Sequence, residues 1–339
     1  MIEPCYRPEE ASGLWVHLEH EDGHLAGVSL ELLGQARKLA AAGGASVTGL
    51  LLGSQVASLA GEAIAYGADS VLVAEHPLLE RYTTEPHTKV VAELALERKP
   101  DMLLLGATAN GRDLAGRLAV RLRTGLIADC TGLEIDRASG LLLGEVTGFG
   151  HGVLATIQCP YHRPQMATVR PGVFPRSAAD PARWGETQPV AVELTAEDCR
   201  VRVLRQVRGR GADITQAERL VIAGRGVGGD FAVLNRLAQA LAAEIGATRV
   251  AVDAGWVGHD RQIGQTGFVT RPKLAVVCGA SGATQFTVGI QDAETVIAIN
   301  SDPEAPIFEC ADYCVVDDVH QVLPALVEAL ERETTGKKG

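Results

Sequence analysis

Between Leu220 and Val316 short apolar runs alternate with glycine-rich turns, and this alternation limits the chain to a layered α/β fold. The turns are Gly224-Arg225-Gly226-Val227-Gly228-Gly229, Gly264-Gln265-Thr266-Gly267 and Gly279-Ala280-Ser281-Gly282. Apolar runs of four or five residues bounded by such turns read as strands buried on both faces, which parallel pairing requires. The candidate strands are 220–223, 249–252, 274–278, 295–299 and 313–316. The first turn follows a strand and precedes a helical pattern over 231–245, so Gly224, Gly226 and Gly229 sit where a dinucleotide-binding turn needs them. The second strand then ends at Asp253, the place of a ribose-binding carboxylate. A purely steric turn is the plainer reading of the hexapeptide alone, because the chain contains 38 glycines.

A chain of 339 residues exceeds one ordinary core and implies two domains, placed at 1–190 and 191–339. The net charge of −11 opposes a nucleic-acid or anionic-membrane partner. No run of eighteen apolar residues occurs, and Glu3, Glu9 and Glu10 oppose a leader peptide, so a cytoplasmic protein is expected. The seven cysteines form no C-x-x-C pair. Redox chemistry in such a chain calls for an organic cofactor rather than an iron–sulfur cluster.

The first half alternates candidate strands at 14–18, 46–52, 70–73 and 102–105 with helical stretches at 30–41, 56–65, 88–98 and 114–123. Leu32, Leu33, Ala36, Leu39 and Ala40 form one apolar stripe, which makes a second α/β sheet. Extended segments follow Cys130, including 153–157 and 167–169. Residues 175–189 have the composition of a linker or covering loop, and a strand pair at 191–194 and 201–207 leads into the second unit. The fold class expected is two doubly wound parallel-sheet domains.

Other constellations point to no catalysis. His17, His20 and His24, with Glu19, Glu21 and Asp22, read as a solvated loop rather than a metal site. Cys310 and Cys314 read as small buried residues. His151, His162 and His259 accompany no nucleophile motif, and the G-x-x-x-x-G-K-[ST] pattern is absent.

Several ordered motifs carry a resemblance. They are Val252-Asp253-Ala254-Gly255-Trp256-Val257, Gly264-Gln265-Thr266-Gly267, Ser281-Gly282-Ala283-Thr284-Gln285 and Ala298-Ile299-Asn300-Ser301-Asp302-Pro303-Glu304-Ala305-Pro306-Ile307-Phe308. Gly111-Arg112-Asp113-Leu114-Ala115 and His162-Arg163-Pro164-Gln165-Met166-Ala167-Thr168-Val169-Arg170-Pro171-Gly172 agree in the first half. Together they resemble the α subunit of electron transfer flavoproteins, from about Leu14 to Leu330. The resemblance implies an FAD-dependent electron carrier that pairs with a β subunit as a heterodimer. It would take electrons from flavoprotein dehydrogenases such as acyl-CoA dehydrogenases and pass them to a quinone-reducing or other acceptor. Its N-terminal domain would pack on the partner and its C-terminal domain would hold the FAD. The resemblance places Arg225, Arg249, Ile263, Gly264, Gln265 and Thr266 near the flavin ring, with Thr248 where the family usually has serine. It places Ser281, Gly282, Ala283, Thr284 and Gln285 at phosphate or ribityl oxygens, and Asn300, Asp318 and Val319 at the adenosine end. Alternatives are an NAD-dependent dehydrogenase, suggested by the first turn and Asp253, and a subunit of an electron-bifurcating or acyl-CoA reductase complex.

Phe286 departs from the family, many of whose members carry histidine there. Phenylalanine cannot donate a hydrogen bond to the flavin C2 oxygen. A bond to a charged group contributes about 1.5–3 kcal/mol, equivalent to about 60–130 mV for one electron. Phe286→His is therefore expected to raise the first one-electron potential. Potentiometry checks it, and an unmoved potential contradicts it.

Overall fold

Apolar strands that must be covered on both faces organise each half of the computed structural model, which describes residues 3–147, 154–204 and 214–336. The chain divides into two compact units, Met1–Gln206 and Val207–Gly339. In the first, β1 (Leu14–Leu18), β2 (Val47–Gly53), β3 (Ser70–Glu75), β4 (Met102–Gly106), β5 (Leu126–Cys130), β6 (Gln165–Val169) and β7 (Glu186–Val190) form a parallel sheet in the order β7-β3-β2-β1-β4-β6-β5. Every residue of β1, β2, β4 and β6 is buried. The helices α1 (Gly27–Gly43), α2 (Ala60–Ala65), α3 (Thr84–Arg98) and α4 (Ala109–Arg121) separate the first five strands. Leu32, Leu33, Ala36, Leu39 and Ala40 of α1 enter the core on one face of the sheet. Three antiparallel strands, Gly132–Ile135, Leu142–Thr147 and Leu154–Ile157, form a separate small sheet.

In the second unit β8 (Arg219–Ala223), β9 (Glu244–Ala247), β10 (Leu274–Cys278), β11 (Val296–Asn300) and β12 (Tyr313–Val316) are all parallel in the order β9-β8-β10-β11-β12. The chain reverses direction across the sheet between β8 and β10, which opens a crevice at their carboxyl ends. The helices here are α5 (Phe231–Leu241), α6 (Arg249–Asp253), α7 (Thr284–Thr287) and α8 (Val319–Gly336). Asp230 starts α5 by accepting a hydrogen bond from the Ala232 amide at 3.1 Å. Among the described residues no helix is long and apolar enough to cross a membrane.

Five expectations are corrected. The helical pattern over 231–245 ends at Leu241, because Ala242 turns left-handed (φ 48°) and Glu244–Ala247 pairs with β8. The strand expected at 249–252 is the helical turn α6, so Asp253 lies in that turn rather than at a strand end. The supposed linker contains β7, which pairs with β3, whereas 191–194 and 201–204 form no strand and 205–207 lie outside the described residues, as does Val153. Cys310 and Cys314 are exposed, one ending a 3-10 turn and the other on the edge strand β12. His17 is buried in β1 and His20 Nε2 meets the Leu52 carbonyl at 2.9 Å; His24, in the hairpin strand His24–Leu25, is exposed.

A buried ionisable group, His17, lies in β1 and a half-buried one, Glu19, just beyond it. The Glu19 carboxylate accepts from Thr108 Oγ1 at 2.8 Å, and burial pushes its pKa up to about 7. Burial, then the positive charges of His87 and His20, pull the His17 imidazole down to about 3. The folded state thus favours protonated Glu19 and neutral His17. Glu19 withdraws stability as pH rises from its ordinary 4.5 through about 7. His17 withdraws it as pH falls below its ordinary 6.5. Glu19→Gln removes the contribution that opposes His17 and is expected to shift the slope of Tm against pH in the positive direction between pH 4.5 and about 7. Thermal melts across that range check this, and an unchanged slope contradicts it.

Candidate functional site

The turns that follow β8 and β10 interlock backbone against backbone. Gly224 N–H donates to the Cys278 carbonyl at 2.8 Å, and Gly226 N–H to the Gly279 carbonyl at 2.8 Å. A Cβ on Gly224 would overlap Ala280 N and the Gly279 carbonyl, while one on Gly226 would lie 3.0 Å from Gly279 Cα. These glycines therefore serve close packing of two loops, and their amides are already spent. Glycine at 279 is needed twice over, for contact with Gly226 and for a φ of +65°. The thiol of Cys278, directly before it, is fully buried and pushed up to about 12, which leaves it inert.

A third loop closes the crevice. Gly264 (φ +130°) has no room for a side chain beside the Gln285 carbonyl, and Gln265 N–H donates to that carbonyl at 2.7 Å. Gly282 packs as closely on Pro306 and Ile307, and Ile307 N–H donates to the Ser281 carbonyl at 3.0 Å. The three loops and the segment after β11 enclose a cavity of about 700 Å³, within the range of cofactor sites.

Most residues expected at the site line it: Arg225, Thr248, Arg249, Ile263, Thr266, Ser281, Gly282, Ala283, Gln285, Phe286 and Asn300. Thr284 is exposed at the start of α7, and Gly264 and Gln265 secure the loop from behind. Asp318 and Val319 are not among the lining residues. Asp318 Oδ1 accepts from the His320 amide at 2.9 Å, and Val319, the first residue of α8, is buried in the core. Asn300 contributes shape, since its Nδ2 donates to the Ala280 carbonyl at 2.8 Å and its Oδ1 accepts from Asp302 N–H. The structure adds Gly226, Val250, Gly279, Ala280, Asp302, Ala305 and Pro306 to the lining. Their common signal in sequence is position, because most lie just past the carboxyl end of a strand.

The lining chemistry is mixed in a telling way. Arg225 is exposed to the cavity and makes no ion pair among the described residues, while Arg249 holds only an exposed i,i+4 pair with Asp253 at 3.3 Å. Such a pair contributes little, so both guanidiniums remain open to an anionic ligand. From Ala280 to Thr284, no amide donates a hydrogen bond within the described residues. Thr248 Oγ1 and Ser281 Oγ likewise have no partner there. Ile263 and the buried ring of Phe286 supply an apolar wall. Open amides, two cations and an apolar wall suit a ligand with phosphates at one end and a flat aromatic system at the other.

Residues 14–195 match the profile described as the electron transfer flavoprotein domain, and residues 213–291 that of the electron transfer flavoprotein FAD-binding domain. The chain belongs to the electron transfer flavoprotein α-subunit family. It is 45% identical over 323 residues to electron transfer flavoprotein subunit alpha of Thermoanaerobacterium thermosaccharolyticum, covering 94% of this chain and 98% of that one. The acryloyl-CoA reductase electron transfer subunit beta of Anaerotignum propionicum is 39% identical over 349 residues, with 94% and 95% covered. The lactate dehydrogenase (NAD(+),ferredoxin) subunit LctC of Acetobacterium woodii is 38% identical over 330 residues, with 96% and 78% covered. This electron transfer flavoprotein α chain is thus an electron carrier whose second unit is FAD-binding.

The interlocked glycines give a direct test. Gly224→Ala forces a methyl into backbone and is expected to cost about 1–3 kcal/mol, with loss of cofactor retention. Gly228→Ala, with nothing within 4 Å, carries only the left-handed backbone cost of about 1–2 kcal/mol. Flavin retained by each variant, with denaturant melts recorded beside it, checks this; equal flavin retention contradicts it.

Proposed function

We propose that the chain is the flavin-holding half of a two-chain carrier, paired with a β subunit, that moves electrons from flavoprotein dehydrogenases such as acyl-CoA dehydrogenases to a downstream acceptor in the cytoplasm. The observation that carries the reading is the unpartnered run of amides from Ala280 to Ala283 on the same cavity as Arg225, Arg249 and Thr266. Bound there, FAD supplies a ring system that stores electrons one or two at a time.

The chain's own groups do the rest. The open amides and the Ser281 hydroxyl bind phosphate or ribityl oxygens. Arg225 and Arg249 keep fixed positive charge beside the cavity, and arginine holds that charge at any physiological pH. In a site partly closed to water by Ile263 and Phe286, such charge favours the electron-rich state of a ligand. No general acid, base or nucleophile is required, because electron transfer needs proximity and matched potentials. The names of the relatives in Anaerotignum propionicum and Acetobacterium woodii favour a second reading, in which the same subunit serves a reductase or ferredoxin-linked complex.

Co-expression with the β subunit, followed by an absorption spectrum and a count of FAD and AMP per heterodimer, tests the proposal. Flavin bands with FAD retained by the wild type and weakened by Arg225→Ala are expected. A colourless complex that takes up NADH contradicts it.

A further inference from the structure

Behind the cavity wall a buried amide reaches for an exposed hydroxyl. Gln262 Nε2 donates to Thr266 Oγ1 at 2.9 Å; Gln262 is 5% exposed, whereas Thr266 faces the cavity. That contact is the one hydrogen bond of the Thr266 side chain among the described residues.

The backbone around the pair is closed independently of it. Phe268 N–H donates to the Gln262 carbonyl at 2.8 Å, Gly264 N–H to the Phe268 carbonyl at 3.0 Å, and Gly267 N–H to the Gly264 carbonyl at 3.0 Å. Ile263 N–H ties the loop to the end of β9 through the Ala247 carbonyl at 2.9 Å. Gly267 lies so close that a Cβ there would overlap the Gln262 carbonyl. The loop thus keeps its course without the side-chain bond, and the effect of that bond falls on where the Thr266 proton points.

A hydroxyl carries one proton and two lone pairs. With a Gln262 amide hydrogen on one lone pair, the proton is directed away from Gln262, and accepting that bond strengthens the O–H as a donor. We propose that Gln262 is a positioning residue that turns Thr266 into a hydrogen-bond donor toward the cavity, and thereby raises the affinity of the bound cofactor for its first electron. The proposal rests on the FAD reading above. A donor stabilises an acceptor atom more as that atom gains electron density, so its loss lowers the first reduction potential.

The test is a double-mutant cycle on the flavin-loaded two-chain complex, read as the first one-electron potential, with flavin content and Tm recorded for every variant. Gln262→Met keeps the length of the side chain and removes the donor. It is expected to lower the one-electron equilibrium constant by roughly threefold to tenfold, about 28–59 mV. Thr266→Val lowers it at least as far, and Gln262→Met added to Thr266→Val changes nothing more. Gln262→Glu provides a second variant, whose carboxylate draws the Thr266 proton back and lowers the potential in the threonine background more than in the valine one. An unmoved or raised potential in Gln262→Met, or equal falls in both backgrounds, overturns the proposal. So does loss of flavin from both Gln262 variants while Thr266→Val stays loaded, which assigns Gln262 to holding the loop. A loaded wild type with unmoved variants fails this inference alone; a wild type that holds no flavin fails the function proposed above with it.

Discussion

The contact between the loops after β8 and β10, where Gly224 and Gly226 lie directly on Gly279 and Ala280, is the constraint on which the cavity depends. Two backbones meet there without side chains between them, joined by hydrogen bonds of 2.8 Å from Gly224 to Cys278 and from Gly226 to Gly279. Because Gly224 and Gly226 spend their amides on that contact, the unpartnered amides of Ala280 to Ala283 are left to the crevice. Burial of a large side chain at any of these glycines would part the loops and lose both the packing and the donors. The division of labour follows from this single contact: glycines build the floor, and the residues beyond them face the ligand.

The sheet order supplies the place for that contact. β8 and β10 are neighbours, and the chain leaves them in opposite directions across the sheet, so their carboxyl ends open a crevice that no crossover helix covers. Thr248 and Arg249 reach the same crevice from the end of β9, and Asn300 from the end of β11. The N-terminal unit has the same switch of direction between β1 and β4, yet there Glu19 and Thr108 bond to each other across the strand ends. One unit leaves its crevice open to a ligand, whereas the other satisfies the corresponding groups internally.

Much of this was legible in the residues, for identifiable reasons. Leu274–Cys278 is read at its full extent because a buried parallel strand is an unbroken apolar run with sharp ends, and Leu14–Leu18 because only His17 interrupts its apolar run. The run 249–252 misleads because Val250 and Val252 favour strands locally, while the sheet position is taken by the short Glu244–Ala247, whose alanine and glutamate look helical. With that shift Thr248, not an acid, follows the strand end, which removes the ribose carboxylate that a nicotinamide enzyme would place there. Loop-to-loop contacts such as Gly224 with Ala280 join residues far apart in sequence and leave no local pattern. The Gln262 amide carries no signal at all, since its importance lies in direction, which only the folded loop determines.

The central claim is that the cavity of the C-terminal unit holds FAD, with its phosphates on the unpartnered amides of residues 280–283 and its ring system toward Thr266 and Arg249. An experimental structure of the co-purified two-chain complex tests this most directly. Density for one FAD in that cavity, in that orientation, is the predicted result. An intact complex whose flavin lies elsewhere, with this cavity filled by solvent, contradicts the account.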